Sequence, residues 1–258
     1  MKFKSTWEFF YKALLIVFLT GVVYEGHELY HKAIQTQNEN FNFPYQSFAF
    51  ISIDLEFAES LTENNPGSIS SKGSGMVIGY THSDNAAVLT ANHVCNPPPF
   101  TAMSAVSSFS KKISVTDFHG NRYEASIVHT NIVNDLCILE VVGMDAPVVE
   151  IADSRISIGE KVYNVAAPMA FFSPGMTPLF SGYYSGDVFS SQGIDSIYTI
   201  AAREGSSGSS ILNSDGEIIG VVHSSIPGFN NVAICTTYNE LAAFISEFVN
   251  LHSGRLSQ

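Results

Sequence analysis

From Ser47 to Thr237 the chain is a succession of short apolar or alternating segments, each stopped by Gly, Pro, Asn or Asp. No other feature constrains the fold as tightly. Short runs of period two are strands, and strands packed this densely along a chain close into a barrel or a sandwich. "FAFISIDLEF" (48–57) places Ala49, Ile51, Ile53, Leu55 and Phe57 on one face. "SGMVIGY" (74–80) and "NAAVLTANHV" (85–94) follow, and the latter stops at "NPPPF", whose prolines cannot continue a hydrogen-bonded ladder. "KISVTDFHGNRYEASIVHT" (112–130) predicts a hairpin turning at His119-Gly120-Asn121. Strands are expected at 135–142, 160–168, 196–202 and 231–237, with a hairpin over 209–225 turning at Asn213–Gly216. The stretches 61–73 and 171–187 read as loops, being rich in Gly, Pro and Ser.

After Thr237 the period changes. In "YNELAAFISEFVNL" (238–251) Leu241, Phe244, Ile245 and Phe248 share one helical face. Thr237 is placed as the N-cap and Glu240 as its capping-box partner. The expectation is an all-β body with one C-terminal helix. A hydrophobic content of 45% against 14% charged residues supports a substantial core and argues against global disorder. The formal net charge of −12 argues against nucleic acid as a partner, because neutralising phosphates needs a basic surface.

The N-terminus has a different texture. Lys2, Lys4 and Lys12 precede an apolar core from Ala13 to Val23, a length that suits a signal sequence. Counted back to Trp7 it reaches the low end for a membrane span. Residues 1–30 are therefore expected to form an uncleaved signal anchor, with a cleaved signal as the first alternative and an amphipathic helix as the second. The body would then lie in the periplasm or outside the cell, or be secreted if the signal is removed. Residues 31–46 read as a polar tether, 47–251 as the folded body and 252–258 as a tail.

Chemistry is sought in pieces that a fold can bring together. A serine hydroxyl needs a base, a group that orients the base, and donors for the developing oxyanion. In "EGSSGSS", Ser207 sits in a turn bracketed by Gly205 and Gly208, and the N–H groups of Gly205 and Ser207 can point at one spot. His93 closes the strand "VLTANHV" and Asp135 opens the strand "DLCILEV". Of the three cysteines, Cys95, Cys137 and Cys235, the reading is three buried apolar thiols, with one pair and a spare thiol as the alternative. Cys95 lies near His93, but the remaining cysteines lack ligand-like spacing, so neither a metal nor a cofactor is expected.

The order His93, Asp135, Ser207 is that of the chymotrypsin-like enzymes. With "GSGMVI", "AAVLTANHV", "NDLCILEV" and "GSSGSSILNSDGEIIGVV" in sequence, the chain resembles the trypsin-fold serine proteases, most closely the bacterial HtrA/Deg-type branch. The resemblance covers roughly Ser47 to Val249. It implies two six-stranded antiparallel β-barrels with the site in the cleft between them, His93 and Asp135 from the first and Ser207 from the second. It also implies a serine endopeptidase acting on protein or peptide substrates. Ser207 would be the nucleophile, His93 the base, Asp135 its orienter, and Gly205 and Ser207 the oxyanion donors.

By the same resemblance Ala201 floors the first substrate pocket, with Ser224, Ser225 and Asn231 on its walls, and the backbone of His223 pairs with substrate. With no acid there, the pocket would favour small or medium apolar residues. Ser209 and Ser210 stand where the family has Gly and Pro, which motivates a second reading, a catalytically inactive protease-fold binding protein. Cys95 lies two residues after the histidine instead of next to it, so the family's disulfide at that place is not expected. No PDZ domain is expected after the helix, and residues 41–57 are the segment through which the chain could form a homo-oligomer.

Overall fold

The computed structural model describes residues 43–57, 67–97, 109–190, 193–226, 228–252 and 255–256. The expected anchor over 1–30 lies outside these residues, as does most of the 31–46 tether. Among the described residues no helix is long and apolar enough to cross a membrane.

The first barrel comprises β1 (Phe48–Phe57), β2 (Gly67–Tyr80), β3 (Ala86–Ala91), β4 (Phe109–Asp117), β5 (Arg122–Asn131) and β6 (Leu136–Val141). The order β1-β4-β5-β6-β3-β2 is closed by pairing of β2 with β1. The predicted hairpin turn falls between β4 and β5. The expected loop over 61–73 is corrected from Gly67 onward. β1 keeps an unbroken antiparallel register with β2 from Phe48↔Met76 to Phe57↔Gly67. The run "GSISSKG" has no strand signature of its own; the backbone of its alternating partner recruits it. Beyond Tyr80 a two-residue strand, Arg255–Leu256, pairs with the end of β2.

The second barrel is β7 (Lys161–Val165), β8 (Leu179–Ser190), β9 (Gly193–Tyr198), β10 (Ser210–Leu212), β11 (Ile218–Ile226) and β12 (Phe229–Thr236), closed in the order β10-β11-β12-β9-β8-β7. Here the loop expected over 171–187 is wrong from Leu179 onward, because β8 pairs with both β7 and β9. Its burial is mostly exposed with Tyr184 and Gly182 inside, so no apolar stripe advertises it.

Three cores hold the body. One fills the first barrel around Ile51, Val88 and Leu139, and another fills the second around Val162, Tyr198 and Ile219. The third lies on the seam, where Phe48, Leu89, Ile138 and Val221 meet Leu241, Phe244 and Phe248 of the C-terminal helix α2 (Tyr238–His252). β3 is buried along its whole length because one face fills the barrel and the other meets the seam, which explains its unbroken apolar run. The predicted capping box is present: Glu240 N–H donates to Thr237 Oγ1, and the Glu240 carboxylate accepts from Thr237 N–H at 3.1 Å. Burial of each large side chain on α2 contributes about 1.5–3 kcal/mol and pins the two barrels to one another. The cleft between them therefore has a fixed geometry.

Candidate active site

The expected strand over 85–94 ends at Ala91, and Asn92–Cys95 form one turn of helix, α1. That turn carries His93 off the rim of the first barrel. Opposite it, Asp135 sits just ahead of β6 with φ of 51°, in the left-handed region that Asp and Asn tolerate better than most residues. The backbone there does two things. The Asp135 carbonyl accepts from Asn92 N–H at 2.9 Å, and the carboxylate turns toward the start of α1. Asp135 Oδ1 accepts from His93 N–H at 2.7 Å, and Oδ2 lies 2.5 Å from His93 Nδ1. A carboxylate can only accept, so Nδ1 carries a proton, and in the neutral ring Nε2 is the nitrogen left with a lone pair.

Cys95 and Cys137 form a disulfide, and Cys235 is free and buried. This corrects the expectation of three thiols, and the expectation that no bridge would form near the histidine. Cys95 follows His93 by two residues and Cys137 follows Asp135 by two, so the bridge ties the segments bearing those two side chains. Sequence spacing could not show this, because α1 folds Cys95 back over β6. Burial pushes the Cys235 thiol well up, so it stays neutral.

Ser207 projects, half-buried, from a tight turn of the second barrel. Gly205 (φ 89°) and Gly208 (φ 83°) give that turn its shape. A Cβ on Gly205 would come within 2.5 Å of the Ala167 carbonyl, and one on Gly208 would overlap Thr90 Oγ1 and the Ser74 carbonyl. Among the described residues the N–H groups of Gly205 and Ser207 have no acceptor, and Ser207 Oγ has no hydrogen-bond partner. The carbonyls of residues 204–207 are all engaged. Glu204 C=O accepts from Met169 N–H at 2.6 Å, and Ser206 C=O accepts from Ser209 N–H at 3.0 Å and from Ser209 Oγ at 2.6 Å. Gly205 C=O accepts from Ser74 Oγ at 2.8 Å, and Ser207 C=O from Ser74 N–H at 2.8 Å. A trans peptide points its C=O and N–H in opposite directions. Anchoring the carbonyls of 204 and 206 therefore aims the N–H groups of 205 and 207 the other way.

Several of these residues were not singled out in the sequence. Ser74 is fully buried on β2, accepts from Ala167 N–H at 3.0 Å, and bridges the first barrel to the turn. It lies within "GSGMVI", yet its partner Gly205 is 131 positions away. Met169 and Ala170 both have positive φ (54° and 57°), a strained pair in "APMAFF" that turns Met169 N–H onto Glu204.

His223 sits at a bulge in β11, where the register with β12 shifts between Val222 and Ser224. Its Nε2 lies 3.2 Å from Asp195 Oδ1, a partner on β9. A cleft of about 330 Å³ is lined by His93, Asp135, Asp195, His223 and Ser224, with Ile132 and Val133 on its rim. Ala201, Ser207, Ser225 and Asn231 do not line it. Ser225 is half-buried and pairs with Ala233, Ala201 is half-buried, and Asn231 is exposed. The structure thus brings two of the five expected substrate contacts, His223 and Ser224, to the cleft beside His93.

A two-barrel body with a histidine and an aspartate on one rim and a glycine-shaped serine turn on the other defines the class of fold. The model of the trypsin-like peptidase domain matches residues 73–221. The chain belongs to the trypsin-like peptidase family. It is 28% identical over 196 residues to the serine protease Do-like HtrB of Bacillus subtilis, a match covering 70% of this chain and 39% of that one. The chain thus spans about two fifths of that curated relative's length. Among solved structures it is similar to an inactive form of a serine-to-alanine mutant of Rv3671c from M. tuberculosis, with a TM-score of 0.55 and 17% identity over 79% of this chain and 87% of that one. It is also similar to a serine-to-alanine mutant of the HtrA-type protease AlgW bound to a decapeptide, with a TM-score of 0.63 and 15% identity over 81% of this chain and 64% of that one.

Proposed function

We propose that this chain is a serine endopeptidase working through His93, Asp135 and Ser207. The observation that carries the reading is the Asp135 carboxylate bonded to both the backbone N–H and Nδ1 of His93, with Nε2 left as acceptor. In the proposed reaction Ser207 Oγ attacks the peptide carbonyl while its proton passes to His93 Nε2. The C–O bond forms, and the carbonyl electrons move onto an oxyanion facing the N–H groups of Gly205 and Ser207. His93 then protonates the leaving amine as the C–N bond breaks, giving an acyl-enzyme that water hydrolyses by the same steps in reverse roles. Asp135 holds the tautomer and stabilises the imidazolium throughout.

Protein or peptide substrates follow from the family. A preference for small or medium apolar residues before the scissile bond rests on the family resemblance at Ala201, Ser224, Ser225 and Asn231, none of which is acidic; of these Ser224 lines the cleft, beside the ion-paired Asp195. We also propose that the body works outside a reducing compartment, on an N-terminal signal anchor. The Cys95–Cys137 bridge supports the compartment, since such bonds persist where thiols are not kept reduced, and the anchor rests on the apolar run from Ala13 to Val23.

A second reading, a protease-fold binding protein without catalysis, draws on the absence of a bond from Ser207 Oγ to His93 among the described residues. In unliganded sites that contact commonly tightens only with substrate, so the enzyme reading is preferred. A fluorophosphonate probe separates the two. It should label wild type and fail to label Ser207→Ala, and casein hydrolysis should follow the same pattern; equal behaviour of the two proteins would refute the enzyme.

A further inference from the structure

We propose that Asn164 and Ser209 are positioning residues for the oxyanion site, a reading that rests on the peptidase function above. The relay runs from Asn164 Nδ2–H to Ser209 Oγ, and from Ser209 Oγ–H to the Ser206 carbonyl. Its end point is the peptide unit that carries the Ser207 N–H.

Asn164 stands on β7, fully buried, where Val162 and Val165 also point into the core. A buried amide there opposes folding unless it is bonded. Its Nδ2 donates to Ser209 Oγ and to the Ser210 carbonyl, both at 2.9 Å. The second bond fixes which way the amide lies, because a flipped Asn164 would set Oδ1 against the Ser210 oxygen. Asn164 Oδ1 itself is buried with no partner among the described residues. The amide is therefore half satisfied, and what it does satisfy is the turn that holds the nucleophile.

Having accepted from Asn164, Ser209 Oγ directs its own proton to Ser206 C=O at 2.6 Å, shorter than the usual hydroxyl bond. Donation into Ser209 Oγ polarises its O–H and strengthens that bond. Ser206 and Ser209 are fully buried, so solvent cannot take the place of either group. The peptide joining Ser206 to Ser207 is trans and planar, so a carbonyl held toward Ser209 sends the Ser207 N–H to the opposite side. A flip of this plane would replace a donor by a carbonyl oxygen facing the oxyanion. Without the hydroxyl, the Ser209 N–H would be the one remaining bond to the Ser206 carbonyl among the described residues. The serine at 209 thus supplies the second tether.

The test uses the full chain, a fluorogenic peptide and a fluorophosphonate titrant. Ser209→Ala and Asn164→Ala should each lower kcat per titrated site about tenfold, a fraction of the 10²–10³ that follows outright loss of an oxyanion donor. KM should stay within about twofold, since ground-state binding does not use the oxyanion. The double variant should be no slower than the worse single, because both changes cut one relay. A merely structural role would lower Tm and the titratable fraction while leaving kcat per titrated site unchanged, and that result overturns the proposal. So does a slow Ser209→Ala beside a folded Asn164→Ala of wild-type kcat, which removes Asn164 from the relay. If Asn164→Ala does not fold, Ser209→Ala decides, since it removes one oxygen and adds no volume. No labelling of wild type at Ser207 sinks the peptidase reading and the positioning role with it. Wild-type labelling with both variants at full rate overturns the inference alone.

Discussion

Removing the Cys95–Cys137 bridge should separate what holds the rim of the candidate site together from what the proposed chemistry uses there. The perturbation is Cys95→Ala with Cys137→Ala, leaving Cys235 in place. The bridge closes a loop of 42 residues, a span that includes β4 and β5. By the chain-entropy relation, freeing a loop of that length in the unfolded state costs the folded protein about 4 kcal/mol at 25 °C. For a domain of this size each kcal/mol moves Tm by about 2–4 °C, so the midpoint should fall by about 8–16 °C. His93 and Asp135 keep two bonds of their own, at 2.7 and 2.5 Å, so kcat per titrated site well below the midpoint should change little. Calorimetry and urea unfolding give the first number, and a fluorophosphonate titration with peptide turnover gives the second. Alkylation without reductant should modify only Cys235, and only after unfolding. Three reactive thiols in the unfolded wild-type chain, or equal stability of the double variant, would refute the reasoning. A large loss of kcat at full folding would show that the bridge, and not the hydrogen bonds, sets the His93–Asp135 geometry.

Gly208→Ala should abolish phosphonylation and destabilise the fold by at least about 1–3 kcal/mol, the usual cost of strained backbone, because φ is 83° there and a Cβ meets Thr90 Oγ1 and the Ser74 carbonyl. Labelling at the wild-type rate would show that the turn relaxes. Burial alone would push the Asp117 carboxyl up, but Asn121 N–H, Asn121 Nδ2 and Tyr123 O–H outweigh it and hold the group below its ordinary range. With a folded pKa below the unfolded one, Asp117 stabilises the fold fully above about pH 4 and loses that contribution as pH falls through its folded value. Asp117→Asn should therefore lower stability at neutral pH and flatten the acid limb of a stability–pH profile; an unchanged limb would remove Asp117 from the account of acid unfolding.

The strands that could be read directly are those whose period reports their burial. β1 alternates because one face fills the first barrel, and β3 is continuously apolar because both faces are covered. The turn at His119-Gly120-Asn121 and the capping box of Thr237 and Glu240 are equally local, and both were legible. β8 and the first half of β2 were not, because β8 is mostly exposed and the first half of β2 is rich in Gly and Ser, so their conformation comes from the strands beside them. For the site, His93 and Asp135 stood out as a strand end and a strand start. His223 was named without its partner Asp195, which lies on β9 beyond β12.

The sequence by itself determined the all-β class and the C-terminal helix, since both depend on composition and period over a few residues, and it set the chain order of the candidate residues His93, Asp135 and Ser207. Only the tertiary structure decided which cysteines join, where Ser74 and Met169 bring their donors, and how the peptides around Ser207 are turned. Those outcomes depend on hydrogen bonds between segments far apart in the chain, such as Ser74 with Gly205 and Asn164 with Ser209. A peptide plane has no signature in its own residues. It is oriented by whatever the folded chain places against its carbonyl.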